Sequence, residues 1–299
     1  MKNIGIIGLG LIGASLAKAF QKHGDFNVLG WDRDNTVNSK AVDKGTIHEV
    51  LSQRSLRECD FVMIALYPQD TIEYIKNNFD KFDKDAVIMD TCGVKKAVCD
   101  EIFPFAEDKG FTFIGTHPMA GIEYSGFDNS KDDLFDGASI ILVPGDNSAF
   151  ATKYVAEIFK SVGFGKVEIT TPEEHDKKIA YTSQLAHVVS SAYVKNPLAL
   201  CHSGFSAGSF HDMTRVAKLN ETMWTELFLD NKDYLVQDID RLIDDLTDYR
   251  DVIKQGDKEE LLTMLKNGRQ IRENLIQQKS GEPTGMSAIV ITETKEGAH

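Results

Sequence analysis

The stretch that decides the fold is Gly8-Leu9-Gly10-Leu11-Ile12-Gly13, which fits the pattern GxGxxG. It directly follows the apolar run Ile4 to Ile7, which is typical of a buried strand, and it opens a helical pattern over Leu11 to His23. Asp32 lies 19 residues beyond the last glycine, at the end of the next apolar run. A strand, a glycine-rich turn, a helix and an acidic residue at this spacing predict a dinucleotide-binding unit of Rossmann type.

The same residues predict which dinucleotide binds. The residues from Gly8 to Gly13 form the turn and the helix N-terminus, whose N–H groups and positive dipole favour a pyrophosphate. A carboxylate at Asp32 can accept hydrogen bonds from both ribose hydroxyls but would repel a 2′-phosphate. Arg33 beside it could pair with such a phosphate and weaken the preference. We therefore predict NAD as the cofactor in preference to NADP.

Strand and helix patterns alternate through the first 170 residues. Further short apolar runs lie at 28–31, 61–66, 86–89, 111–114, 140–143 and 166–169. Helical patterns separate several of them, notably Val94 to Phe103 and Ala149 to Val162. Such alternation predicts an α/β fold with a mostly parallel sheet and right-handed crossovers.

The pattern changes at Thr171-Pro172-Glu173-Glu174, a capping box with proline at the first helical position. No convincing strand follows before the tail. An apolar stripe recurs at alternating steps of four and three at Leu235, Ile239, Leu242, Leu246, Tyr249 and Ile253. We predict a Rossmann domain over 1–170, an all-helical domain over 171–280 and a peripheral tail over 281–299. The stripe fits either a core within that domain or a dimer interface.

Composition excludes several classes of function. The formal net charge of −13 argues against a nucleic-acid binder, which needs a basic surface. No apolar run approaches the roughly 18 residues of a membrane span. The cysteines are scattered without a CxxC pair, so the sequence indicates neither a disulfide framework nor a metal site. A strand pattern begins almost at Met1, which leaves no room for a signal peptide, and we expect a cytoplasmic protein.

The chemistry is indicated by the segment from Gly115 to Gly126, which contains His117-Pro118 at the exit of a predicted strand. A histidine at that edge of an α/β sheet can take a proton from a substrate hydroxyl. Ser183 and His187 stand at i and i+4 on the helix that Thr171 opens. Asp212 and Arg215 form an i, i+3 pair that fits either a surface ion pair or a ligand clamp. Spacing alone does not bring these groups together.

These motifs resemble the prephenate/arogenate dehydrogenase family over residues 2 to 280. The matching segments are the glycine-rich turn, Thr116-His117-Pro118-Met119-Ala120-Gly121, the helix start Glu173-Glu174-His175-Asp176, and Phe210 to Arg215. The resemblance implies a Rossmann domain followed by a helical domain that forms a homodimer. It also implies NAD-dependent oxidative decarboxylation of prephenate to 4-hydroxyphenylpyruvate in tyrosine biosynthesis, with arogenate as the alternative substrate.

The resemblance also implies roles for particular residues. His117 matches the catalytic histidine that assists deprotonation of the ring hydroxyl, and Arg215 matches an arginine that binds a substrate carboxylate. The other matching positions contribute to the substrate site and are His187, Ser183, Glu123, Asp212 and Trp224.

The sequence departs from the family pattern at one position beside the site. Many relatives have a serine that contacts the catalytic histidine, where this chain has Gly93 in Asp90-Thr91-Cys92-Gly93-Val94-Lys95. Either Thr91, Cys92 or a water molecule takes over that contact, or the orientation of His117 relies on other groups.

Two rival functions fit part of the sequence. A β-hydroxyacid dehydrogenase also joins a Rossmann domain to a helical one, but it would need Lys195 or Lys218 as its catalytic lysine and leaves the His117 segment unexplained. A non-catalytic NAD-binding protein would bind the cofactor without turnover, and the set of His117, His187 and Arg215 argues against it.

Overall fold

The fold is built around a single eight-stranded sheet. The structure is a computed structural model, and it describes residues 1–280 except Gly24, Glu123 and Asn147. The strands are β1 (Lys2–Ile7), β2 (Phe26–Trp31), β3 (Glu49–Val50), β4 (Phe61–Ile64), β5 (Val87–Asp90), β6 (Thr112–Met119), β7 (Ser139–Pro144) and β8 (Lys166–Ile169). Their order is β3-β2-β1-β4-β5-β6-β7-β8, and every neighbouring pair is parallel except β6 and β7. The predicted α/β class with a mostly parallel sheet is confirmed.

Twelve α-helices accompany these strands in the part of the chain that the structure describes. They are α1 (Leu11–His23), α2 (Asn35–Asp43), α3 (Gln53–Leu56), α4 (Pro68–Asn78), α5 (Lys96–Lys109), α6 (Ala149–Ser161), α7 (Pro172–Ile179), α8 (Leu185–Tyr193), α9 (Gly208–Thr214), α10 (Glu221–Asp230), α11 (Lys232–Gln255) and α12 (Lys258–Ser280). Thr171 caps α7, since its side chain accepts a hydrogen bond from the Glu174 N–H. None of the described helices is long and apolar enough to cross a membrane.

The sheet is covered on both faces, so its central strands are apolar on both sides. Ile4 and Ile6 of β1 belong to the core on one face, and Ile7 belongs to the core on the other. Because β1 lies between β2 and β4, the order in which the chain adds strands changes direction at β1. In α/β sheets, ligands bind at the carboxyl ends of the strands at such a point. The glycine-rich turn stands at this point.

The described chain divides into two compact units at a point within α11. The first unit is Met1–Asp238 and contains the sheet and helices α1 to α10, while the second begins at Ile239. The division that the sequence predicts, at residue 170, stays a prediction. The predicted tail over 281–299 lies outside the described residues.

Three local features differ from the sequence-based expectation. The strand β6 continues through His117 to Met119, because it pairs with the antiparallel β7, so His117 lies within a strand rather than after it. The two-residue strand β3 is too short to show a pattern. A π-helical turn over Ala180–Gln184 joins α7 to α8. Ser183 lies in this turn and His187 in α8, so the two do not follow a regular α-helical i, i+4 spacing.

Candidate active site

The glycine-rich turn has the geometry that its sequence requires. Gly8 has a φ of +87°, and a Cβ there would lie 2.5 Å from the Ala65 carbonyl oxygen. A Cβ on Gly13 would lie 1.9 Å from the Gly8 carbonyl oxygen, so glycine lets α1 start directly against the turn. At Gly10, by contrast, a Cβ would meet nothing within 4 Å. The open side of the turn is therefore the side on which a ligand can approach the backbone.

Asp32 is held in place beside this turn. Its carboxylate accepts hydrogen bonds from the N–H groups of Leu9 at 2.8 Å and Asp34 at 3.0 Å. The buried Asn38 side chain binds both the N–H and the carbonyl of Asp32, each at 2.8 Å. The carboxylate is thus fixed at the end of β2, while Arg33 is exposed next to it.

The backbone before His117 is clamped by a fully buried ion pair. Lys95 Nζ contacts the carboxylate of Asp90 and donates to the Thr116 carbonyl at 2.7 Å, and Asp90 accepts from the Thr116 N–H at 2.8 Å. Burial is the largest single effect and lowers the pKa of Lys95, but the Asp90 carboxylate and the nearby thiols of Cys92 and Cys99 together raise it above its ordinary value. Thr116, which precedes His117, is therefore held through both of its backbone polar groups, by Asp90 of β5 and by Lys95.

A chain of hydrogen bonds, here called the relay, leads from His117 through His175 to the buried carboxylate of Asp176. His117 Nδ1 lies 2.9 Å from His175 Nε2, and His175 Nδ1 lies 2.6 Å from Asp176 Oδ1. Asp176 also accepts the backbone N–H groups of Lys95 at 2.7 Å and Lys96 at 2.8 Å. His175 and Asp176 are essentially inaccessible to solvent. These contacts join α7 to the start of α5 and to β6.

This chain of contacts determines the tautomer of the neutral His117. An ionised Asp176 can only accept, so His175 Nδ1 carries a proton and His175 Nε2 has a lone pair. His117 Nδ1 is therefore the donor, and His117 Nε2 presents its lone pair away from the relay. Burial, with the charges of His175 and Lys95 adding to it, holds the pKa of His117 well below its ordinary value. A neutral imidazole with a free Nε2 is poised to accept a proton from a hydroxyl group.

Gly93 lies beside this free nitrogen. A Cβ at Gly93 would be 4.0 Å from His117 Nε2 and 3.4 Å from Leu227 Cδ1. Cys92 does not replace the missing serine, because its thiol is buried against Thr71 Oγ1 at 3.4 Å and the Leu66 carbonyl at 3.6 Å. A further group contacts His117, since His175 lies at its Nδ1 side.

The predicted substrate residues lie around a second histidine. His187 Nδ1 donates to the Val216 carbonyl at 2.9 Å, and its ring centroid is 3.8 Å from that of Trp224 on α10. Burial lowers the pKa of His187, the hydrogen bond to Val216 opposes this, and the charge of Arg215 lowers it further. Arg215 is exposed and opens the short turn Arg215–Ala217.

The helix α10 connects this group to His117. It carries Trp224, which contacts His187, and Leu227, which packs at Gly93, and the Leu227 carbonyl accepts a hydrogen bond from Gln184 at 2.9 Å. Ser183 precedes Gln184 in the π turn and is partly exposed.

The remaining predicted residues are not joined to this cluster by any contact that the structure describes. Asp212 is exposed on α9, and Glu123 lies outside the described residues.

Neither His175 nor Asp176 is predicted from the sequence as a site residue. A signal for them was available, because they form part of the helix start that matches the family. A buried role for the pair does not follow from that motif, however, since Glu173, Glu174 and His175 are all polar and the first turn of a helix is normally solvated. The packing of α7 against the start of α5 buries them.

The mostly parallel sheet with its glycine-rich turn defines the class of protein, a nucleotide-binding α/β protein, and β6 adds a buried histidine relay to it. The family model described as the prephenate dehydrogenase nucleotide-binding domain matches residues 16–169, and the model described as the prephenate dehydrogenase dimerization domain matches residues 171–267. The chain belongs to the prephenate dehydrogenase family.

Individual relatives agree with this assignment. A cyclohexadienyl dehydrogenase of Zymomonas mobilis is 31% identical over 284 residues, which cover 91% of this chain and 95% of the relative. A prephenate dehydrogenase of Bacillus subtilis is 29% identical, with 93% and 77% covered. The solved structure of prephenate dehydrogenase from A. aeolicus, in complex with hydroxyphenyl propionate and NAD⁺, is similar with a TM-score of 0.80 and 32% identity, covering 92% of this chain and 98% of that one.

Proposed function

We propose that the chain catalyses the NAD⁺-dependent oxidative decarboxylation of prephenate to 4-hydroxyphenylpyruvate, a step of tyrosine biosynthesis. The observation that supports this most directly is the relay from Asp176 through His175 to His117, which leaves His117 Nε2 free to accept a proton. A relative of known structure that binds hydroxyphenyl propionate and NAD⁺ supports both the class of substrate and the cofactor.

The residues of the first βαβ unit fit NAD⁺. The space in front of Gly10 leaves room for a pyrophosphate to approach the turn, and the Asp32 carboxylate stands at the end of β2, where a ribose would lie. Because the carboxylate would repel a 2′-phosphate, the fit favours NAD⁺ over NADP⁺. Bound NAD⁺ supplies the acceptor for the hydride that leaves the ring carbon bearing the hydroxyl group.

The chain's own residues would hold the substrate and move its proton. His117 Nε2 accepts the proton of the ring hydroxyl while the C–H bond of the same carbon breaks and its electron pair leaves as hydride. The bond between the ring and its carboxylate then breaks, carbon dioxide leaves, and that electron pair completes the aromatic ring as the carbonyl oxygen becomes a phenolate. The phenolate takes the proton back from His117 Nε2, which gives the phenol of the product. Arg215 would bind a carboxylate of the substrate through its planar guanidinium group. The relay keeps His117 in the tautomer that this proton transfer requires.

The proposed reaction is tested with purified protein, NAD⁺ and either prephenate or arogenate, by following NADH absorbance and carbon dioxide release. We expect turnover with prephenate, and absence of turnover with both substrates would refute the proposal. His117→Asn should mainly lower kcat, because the lost interaction strengthens in the transition state, and Arg215→Ala should mainly raise KM. A His117→Asn variant with full turnover would refute its assignment as the base.

We also propose that the chain acts as a homodimer. The match of residues 171–267 to a dimerization domain supports this, and so does the apolar stripe of α11, where Leu246 is 59% and Ile253 61% exposed. A core within the chain would bury these side chains. Sedimentation equilibrium should give twice the mass of the chain, and Leu246→Glu should shift the protein towards the monomer. A monomeric wild-type protein at micromolar concentration would refute the dimer.

A further inference from the structure

The proposed substrate requires more positive charge than one arginine supplies. Prephenate carries two carboxylates, one on the ring carbon opposite the hydroxyl group and one at the end of the side chain attached to that carbon. A guanidinium that binds one carboxylate bidentately leaves the other without a partner, and burying an unpaired carboxylate is costly. Lys95, which contacts the backbone before His117, cannot help, because it is fully buried and binds Asp90 and the Thr116 carbonyl.

Lys218 is a candidate for the second cation. It directly follows the short turn Arg215–Ala217, and its Nζ stands 4.5 Å from the centroid of the Tyr124 ring. Tyr124 lies in the loop that follows β6, five residues after Met119, the last residue of that strand. Lys218 thus connects the segment that carries Arg215 with the segment that carries His117. The hydrogen bond from His187 to the Val216 carbonyl also fixes this turn.

Lys218 and Tyr124 are both accessible for this role. Lys218 is exposed, and Tyr124 is 56% exposed. A cation over an aromatic face keeps its remaining N–H groups available, and a neutral ring holds the ammonium without cancelling its charge. Tyr124 would therefore act as a positioning residue for the lysine.

We propose that Lys218 binds the second carboxylate of the substrate and thereby favours prephenate over arogenate; this inference rests on the proposed function. Arogenate has an ammonium group on the carbon next to its side-chain carboxylate, where prephenate has a keto oxygen. That ammonium repels Lys218 and cancels part of the attraction of the carboxylate, so Lys218 stabilises bound prephenate more than bound arogenate.

The test compares Lys218→Met with the wild-type protein and with Lys160→Met, an exposed lysine of α6 that changes the net charge equally. We expect Lys218→Met to raise the KM for prephenate about tenfold, equivalent to about 1.4 kcal/mol, with kcat unchanged. The KM for arogenate should rise at most about threefold, so the preference for prephenate falls. Lys218→Arg, which keeps the charge, should restore most of the affinity, and Lys160→Met should have no effect.

Calorimetric binding of prephenate to the protein with NADH separates this inference from the proposed reaction. If the wild-type protein binds prephenate but shows no turnover, and Lys218→Met weakens this binding, the proposed reaction is refuted and the carboxylate contact is supported. If the wild-type protein turns over prephenate and Lys218→Met leaves the Kd, the KM and the preference between the two substrates unchanged, the proposed role of Lys218 is overturned. A fall in kcat alone would also overturn it, because a carboxylate contact far from the reacting carbon affects binding.

Discussion

The relay behind His117 makes a sharp prediction for His175→Leu. Leucine removes the acceptor that lies 2.9 Å from His117 Nδ1, and His175 is almost completely buried, so water does not replace it. A buried N–H without a partner costs about 1–3 kcal/mol. The imidazole avoids this cost by moving its proton to Nε2, but it then presents a donor where the reaction requires an acceptor.

We expect His175→Leu to lower kcat about 100-fold, because general-base catalysis contributes about 100- to 10,000-fold and the wrong tautomer forfeits much of it. This corresponds to about 2.7 kcal/mol of lost transition-state stabilisation. The KM for prephenate should change less than about threefold, because no carboxylate contact is altered.

His175→Gln is the matched control for this substitution. The glutamine Oε1 can stand near the position of His175 Nε2 and accept from His117, so this variant should keep at least about ten times the activity of His175→Leu. Steady-state NADH formation measures both variants, and urea unfolding shows whether each is folded. A folded His175→Leu variant with kcat within about threefold of wild type would refute the relay.

Three further predictions concern pH and the cofactor site. Burial lowers the pKa of both His117 and His175, so below about pH 6.5 the unfolded chain binds more protons than the folded one. The free energy of unfolding in urea should therefore fall as the pH drops below about 6.5, and a rise over this range would contradict the lowered pKa values. Gly13→Ala should fail to fold or lose several kcal/mol of unfolding free energy, because its Cβ would lie 1.9 Å from a carbonyl oxygen. Gly10→Ala should keep wild-type stability in urea and raise the KM for NAD⁺, and equal stabilities of the two variants would contradict the geometry of the turn. Asp32→Ser should lower the ratio of kcat/KM for NAD⁺ to that for NADP⁺ at least about tenfold, and an unchanged ratio would show that Asp32 does not select the cofactor.

Much of the cofactor unit could be predicted because its signals are local. The strand β1, the turn and α1 are consecutive in sequence, and the predicted helix over Leu11 to His23 has the bounds that the structure shows. Gly13 is required by a contact within the turn itself, with the Gly8 carbonyl oxygen, and Gly8 is required by its positive φ. The position of Asp32 could be predicted because one helix and one strand separate it from the turn. Short-range geometry of this kind is nearly independent of the rest of the chain.

The substrate site was less predictable, because its contacts join residues that are far apart in sequence. His117 and His175 are 58 positions apart, and Asp90 and Thr116 are 26 apart. The departure at Gly93 could be seen in the sequence, but which group orients His117 instead could not. The extension of β6 through His117 depends on pairing with β7, and the π turn at Ser183 depends on how α7 and α8 pack.

The sequence by itself determined the class of fold and the dinucleotide turn and made His117 the candidate catalytic residue, since these follow from periodicity, glycine spacing and a family motif. Only the tertiary structure decided the protonation state and the tautomer of that histidine. Both are set by desolvation and by hydrogen-bond partners that α7 and α5 bring to β6. The free energies of such groups depend on distances of a few ångströms between distant parts of the chain, and no pattern along the chain encodes those distances.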